Sequence, residues 1–308
     1  MYISTSNQAA TTTIPGLGLV TPPDSRELVR DTRVVPYRWI CALDLFYPWR
    51  GGEQRNRGTG FLVSPRHVLT AAHNVRPAVG VDARRITVTP AMDGTSLLNK
   101  PHGPVGSVTL TPKDWWAPPE FKNPTRDHTW DFALLTLPKE FPAFRAMPYG
   151  YWGAKHFEPA TQFTHPAAAG LQPVVHVAGY PSDKCRDKDC APCAGSPVDY
   201  DPVRDKANWA SMQWTSAGAV RPAAPTGLLL YDADTCAGMS GGPVWQLTKQ
   251  PDGKWTMTLV AIHGGTYTRP DPMTKVDETL NRGLFLGTKS VQDLLRDRMR
   301  RDGVRPLF

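Results

Sequence analysis

The sequence predicts an all-β protein: two six-stranded antiparallel β-barrels followed by a C-terminal α-helix. Three observations carry this. About twelve apolar runs, mostly ~5–8 residues long and rich in Val, Leu, Thr and aromatics, recur between turn residues. No segment of helical period separates them, which argues against alternating β and α units. The composition, with 26 Gly and 31 Pro in 308 residues, 40% hydrophobic and 20% charged, is that of a turn-rich globular chain able to bury a substantial core.

The strand candidates run in order. They are "RWICALDLF", "GTGFLVS", "HVLTAAH", "RITVTPA", "GSVTLTP" and "DFALLTLP" in the first half. "VVHVAGYP", "SMQWTSAG", "TGLLLYDAD", "GPVWQLT", "WTMTLVAIHGG" and "RGLFLGT" follow in the second. Each alternates or runs apolar and is bounded by Gly, Pro, Asp or Ser, as strands closing into barrels require. Residues 1–33 are polar and rich in Thr, Pro and Gly, and read as a tail or pro-segment, trimmed somewhere within 20–34. The stretch 185–208, "CRDKDCAPCAGSPVDYDPVRDKAN", reads as a long surface loop. The helix is "TKSVQDLLRDRMRRD": Thr288 or Ser290 can cap it, and Val291, Leu294, Leu295 and Met299 form its apolar stripe. No internal repeat is present.

Bulk properties narrow the partners. The net charge is +7, but the Lys and Arg are scattered and only "RDRMRRDGVR" is dense, the pattern of a solvated helix face. No nucleic-acid motif is present. No apolar stretch reaches the ~18 residues of a membrane span, and the first residues lack the basic and apolar regions of a secretory signal. Of five cysteines, Cys185, Cys190 and Cys193 cluster: a loop-stapling disulfide, free thiols, or a metal site still short of a fourth ligand. Cys41 lies in an apolar run and reads as a buried hydrophobe. Clustered cysteines suit an oxidising compartment.

The stretch "DTCAGMSGGPV", residues 234–244, carries the chemistry. A serine nucleophile needs a tight turn with backbone N–H groups converging where an oxyanion would form. Ser240 between glycines supplies that turn, with the N–H groups of Gly238 and Ser240 as the hole; Gly241 and Gly242 read as room for substrate. A serine needs a base. His73, at the end of the apolar "VLTAAH", has small alanines that let the ring approach a cleft; His67 follows a turn and reads as exposed. The base needs a buried carboxylate. Asp131, just ahead of the apolar "FALLTL", fits better than Asp127 in polar surroundings. The chain order His, Asp, Ser excludes the orders used by subtilisin-type enzymes and α/β-hydrolases.

With "GTGFLVSPRHVLTAAH", "DFALL" and "GMSGGPV" the chain resembles trypsin/chymotrypsin-fold serine proteases. With "TRVVPYRWI", "GYPSDK", "YDADT", "VAIHGG" and "NRGLFLGTKSVQDLL" it resembles their bacterial glutamyl-endopeptidase-like branch, over roughly residues 30–298. The resemblance implies a trypsin-like peptidase domain over 34–308 with its active site between the barrels. It implies His73 as base, Asp131 as orienter and Ser240 as nucleophile. It also implies Thr235, His263 and Gly264 at the substrate pocket, where a hydroxyl and a histidine would read a glutamate carboxylate. Asp234, six before the serine, matches the position of trypsin's acid and by itself argues for cleavage after Arg or Lys; it must point away or be paired if Glu is preferred. Met239 stands where animal trypsins carry an activation acid, so that switch cannot operate in its usual form. Cys236 lies where such enzymes often have a disulfide.

Two further classes stay open: an inert member of the fold acting as a binding module, which a fluorophosphonate would not label at Ser240, and a binder of anionic surfaces. The expected state is a monomer acting on protein or peptide substrate, with no cofactor, metal or nucleic acid. Secretion is expected from the family, with cytoplasmic residence or delivery as a secretion-system effector as alternatives.

Overall fold

The computed structural model describes residues 19–21, 23–49, 51–95, 101–138, 150–152, 173–183, 212–222, 224–250, 252–271 and 273–304. The strands are β1 (Glu27–Leu28), β2 (Ile40–Trp49), β3 (Gly52–Ser64), β4 (His67–Thr70), β5 (Arg85–Pro90), β6 (Gly94–Thr95), β7 (Pro101–His102) and β8 (Val108–Leu110). They continue with β9 (Trp115–Trp116), β10 (Ala133–Thr136), β11 (Val174–Gly179), β12 (Trp214–Arg221), β13 (Leu228–Tyr231), β14 (Pro243–Lys249), β15 (Trp255–Pro270) and β16 (Asp277–Phe285). Among the described residues one α-helix, α1 (Lys289–Arg301), follows β16.

Apart from β1 and the separate β6–β7 pair, the strands divide by halves of the sequence. The first sheet runs β8-β5-β2-β3-β4-β10-β9, so the two-residue β9 extends six strands. The second runs β1-β12-β11-β14-β15-β16-β13, and β12 also pairs with β13. That last pairing closes a ring of six strands, the expected barrel, onto which β1 adds. Closure removes the unpaired strand edge that would otherwise template aggregation.

The second barrel is filled by Val175, Val177, Val220, Leu229, Tyr231, Met239, Val244 and Val260. A larger cluster fills the first barrel and continues into Trp245, Ile262 and Leu284 of the second and Val291, Leu295 and Met299 of α1. Aromatic rings meet across this seam: Trp245 of β14 lies 6.1 Å from Trp152 and, T-shaped, 6.3 Å from Tyr37 between ring centroids. The apolar stripe of α1 is therefore what seats the helix. Its C-terminal end is pinned by Asp302, whose Oδ2 accepts from Thr136 Oγ1 at 2.9 Å and lies 3.1 Å from His67 Nε2.

Four local expectations change. His67 is fully buried, between Ser64 Oγ at 2.8 Å and Asp302, on a strand whose four residues, His67–Thr70, are all buried. The strand leading to His73 stops at Thr70, and Ala72–Asn74 form a 3-10 turn. Gly241 and Gly242 do not leave space open: a Cβ at Gly241 would collide with Thr59 O and Thr70 Oγ1, and one at Gly242 with Ala178 O. Their role is close approach of the serine turn to β3, β4 and β11. Finally, the described part of the N-terminal stretch is built into the second barrel. Glu27–Leu28 pair with Thr215–Trp214, Val20 is buried against Cys236, and the Arg26 guanidinium is buried between Asp24 and Asp183 at 2.8 and 2.6 Å. The 185–208 loop lies outside the described residues.

Candidate active site

The site forms where the two halves meet. His73 is held in the 3-10 turn after β4, and Asp131 caps a second 3-10 turn, His128–Trp130, just before β10. Because β4 and β10 are antiparallel neighbours, the two turns lie side by side. Asp131, 1% exposed, receives the His73 backbone N–H at 3.0 Å on Oδ1 and His73 Nδ1 at 2.8 Å on Oδ2. Burial alone would raise the Asp131 carboxyl. The His73 ring, the bonds from His73 and the Arg282 charge outweigh it and hold Asp131 below its ordinary value. An ionised carboxylate only accepts, so His73 Nδ1 is the donor of this pair. Asp127 does something else: its Oδ2 accepts the N–H groups of Lys122 and Asn123 at 2.7 Å each and shapes the preceding loop.

Ser240, 8% exposed, sits on a turn fastened at Met239 N–H to Cys236 O (3.0 Å) and Gly242 N–H to Met239 O (2.9 Å). The first barrel grips this turn. Asn74 Nδ2, next in chain to His73, donates to Ser240 O at 2.8 Å, and Thr59 N–H donates to the same oxygen at 2.9 Å. Thr59 Oγ1 donates to Gly238 O at 2.7 Å and accepts from Tyr180 N–H at 3.0 Å. Gly238 itself has a φ of +91°, a conformation that glycine adopts freely. A Cβ there would collide with Tyr180 O, so glycine is required. Among the described residues, neither Gly238 nor Ser240 N–H donates to a backbone carbonyl. Met239 is buried in the second barrel's apolar core.

The candidate specificity residues separate. Asp234, 3% exposed, accepts Thr21 N–H at 2.7 Å, Ser25 N–H at 2.8 Å and Ser25 Oγ–H at 2.6 Å, so its carboxylate is spent on the N-terminal segment. Thr235 Oγ1 donates to Asn281 Oδ1 at 2.7 Å, leaving only its lone pairs to offer. His263 is fully buried on β15; its Nδ1 is 2.7 Å from Tyr231 OH, and Nε2 has no partner among the described residues. Burial, with Arg282 nearby, pushes His263 down to about 3, so it is neutral at pH 7. Gly264 sits at a β-bulge between His263 and Gly265. Cys236 is disulfide-bonded, with a partner outside the described residues, and Cys41 is a buried free thiol.

Sequence reasoning missed Thr59, Asn74, Tyr231 and Arg282. Arg282 left a signal, a charge directly before the apolar "GLFLG". The other three act across strands and left none.

Three comparisons bear on this arrangement. Residues 58–251 match the family model of the trypsin-like peptidase domain. An extracellular metalloprotease of Bacillus subtilis (strain 168) is 26% identical over 241 residues; the match takes in 78% of this chain but 60% of that protein's length. Among solved structures, a Glu endopeptidase in complex with MPD superposes with TM-score 0.59 at 21% identity, over 92% of this chain and all of that one. The protease Anisep from Arthrobacter nicotinovorans does so with TM-score 0.53 at 16% identity, over 89% of this chain and 98% of its own. At these identities the two structures speak to the fold, a chymotrypsin-like double barrel.

Proposed function

The chain belongs to the trypsin-like peptidase family, and from that premise we propose that it is a serine endopeptidase with a preference for glutamate before the scissile bond. The observation that carries the reaction is the pairing of His73 Nδ1 with buried Asp131 at 2.8 Å, while the next residue, Asn74, holds the Ser240 carbonyl. His73 Nε2 takes the Ser240 proton as Oγ attacks the peptide carbonyl. The oxyanion is met by the N–H groups of Gly238 and Ser240. His73 then returns the proton to the leaving amine, and water, deprotonated by His73, releases the acid from the acyl-enzyme.

Glutamate preference is supported by His263. A fully buried ring nitrogen without a partner is costly, and a substrate carboxylate would supply one. Tyr231 has one hydroxyl proton and two acceptors in reach, His263 Nδ1 at 2.7 Å and Arg282 O at 3.2 Å. Donated to His263, it leaves Nε2 protonated and neutral, the tautomer that can bind a carboxylate, and a bound carboxylate selects it. Asp234, the feature that argued for Arg or Lys, is occupied elsewhere. The alternative of a binding module is disfavoured by the bonded His73–Asp131 pair. The name of the Bacillus subtilis relative implies a metal. Among the described residues no group of three or more His, Cys, Asp or Glu is placed to hold one, and the steps above use only the chain's own side chains. The disulfide at Cys236 and the extracellular relative support secretion. The test is fluorophosphonate labelling mapped by mass spectrometry, followed by a peptide panel varying only the residue before the cut. An adduct at Ser240 and cleavage after Glu are expected; cleavage after Arg and not Glu would refute the preference.

A further inference from the structure

Arg282 is buried on β16, a position where a charge is costly unless it does something. It pairs with Gly265 at the bulge that skips Gly264. Its Nε donates to Thr266 O at 3.1 Å. Its Nη1 stands 3.7 Å from Asp131 Oδ2, an ion-pair distance beyond hydrogen-bond reach, and has no hydrogen-bond partner among the described residues. A Cβ on Gly264 would lie 2.6 Å from that Nη1 and 3.4 Å from Asp131 Oδ2. The guanidinium thus fills the place a side chain at residue 264 would take, near Asp131 Oδ2, while the His73 backbone N–H bonds Oδ1.

We propose that Arg282 is a positioning residue that acts through Asp131, its guanidinium 3.7 Å from Oδ2 holding the carboxylate turned toward His73. The inference rests on the serine-peptidase reading above. The titratable groups around it are Asp131, His73 and His128 from the first half and Tyr231 and His263 from the second. Only Asp131 carries a negative charge at neutral pH, so it is the group the guanidinium favours. Arg282 holds the second barrel's charge against the first barrel's acid. Its carbonyl, which faces the Tyr231 hydroxyl, survives any side-chain change.

The experiment compares wild type, Arg282→Met, Arg282→Lys, Asp131→Asn and the Met/Asn double variant. Each is checked for folding by thermal melting, with kcat and KM measured from about pH 5 to 9 on the best peptide. Arg282→Met is expected to lower kcat by about 10- to 100-fold at unchanged KM. Its acid limb should move up by roughly one pH unit, because losing the guanidinium's positive charge makes it easier for the His73–Asp131 pair to take up a proton. Arg282→Lys keeps the charge and the wild-type limb. In the Asp131→Asn background the Met substitution should add less than about twofold, since its target is gone. A folded Arg282→Met with wild-type kcat and limb overturns the inference, as does a raised KM at unchanged kcat or an equal loss in the Asn background. If Arg282→Met does not fold, Arg282→Lys decides: a limb displaced despite the retained charge overturns it. Wild-type kcat in Asp131→Asn would strike the serine-peptidase reading itself and this inference with it.

Discussion

Replacing Asp234 by alanine separates two roles for the same carboxylate. If Asp234 lay at the bottom of a basic-specific pocket, its loss would abolish cleavage after Arg and spare stability. The structure instead has it accept two backbone N–H groups, Thr21 and Ser25, and the Ser25 hydroxyl. Bonds to a charged acceptor are worth about 1.5 kcal/mol or more each, and the hydroxyl can turn to water. The two stranded amides then set a loss of about 3 kcal/mol. For a chain this size that lowers Tm by about 6 °C. The assay is urea and thermal unfolding of a Ser240→Ala parent, to exclude self-digestion, alongside the peptide panel on the active background. Expected are a lower urea midpoint and the same ranking of residues before the cut. Unchanged stability with loss of Arg cleavage would refute the assignment and restore the basic-specific pocket.

Other outcomes follow from single contacts. Thr59→Val removes the hydroxyl that fixes both Gly238 O and Tyr180 N–H; kcat should fall about tenfold or more with KM little changed, read by steady-state kinetics. His263→Leu should cut kcat/KM on Glu peptides by about 100-fold while sparing Gln or Leu peptides, so the ratio of the two substrates is the readout. Acid should destabilise the fold. Burial lowers both His263, to about 3, and His67, so unfolding takes up protons below the ordinary histidine value. Stability from these groups is present above pH ~6.5 and is lost as pH falls through that value toward the folded ones. His67→Gln should flatten the slope below pH ~6.5, by about 0.7 kcal/mol per pH unit at that value and up to about 1.4 further down, measured by urea titration at each pH.

What the sequence determined here is local. Alternating apolar runs bounded by turns specify strands, and their number specifies two barrels, because period and punctuation are properties of neighbouring residues. The serine turn, the histidine after its alanines and the aspartate before an apolar strand could each be named for the same reason. What only the tertiary structure decided is where polar side chains spend their donors and acceptors. Asp234 has the same letter whether it faces a pocket or the N-terminal segment; Thr21 and Ser25, more than 200 residues away in sequence, settle it. His67 reads as a turn residue until α1 returns with Asp302. The glycines after Ser240 read as open space until β3 and β4 press against them. Arg282 reaches Asp131 only because the second barrel docks on the first. Hydrogen bonds and ion pairs act over about 3–4 Å in space without regard to sequence separation, so the partners of a buried charge are a property of the assembled barrels.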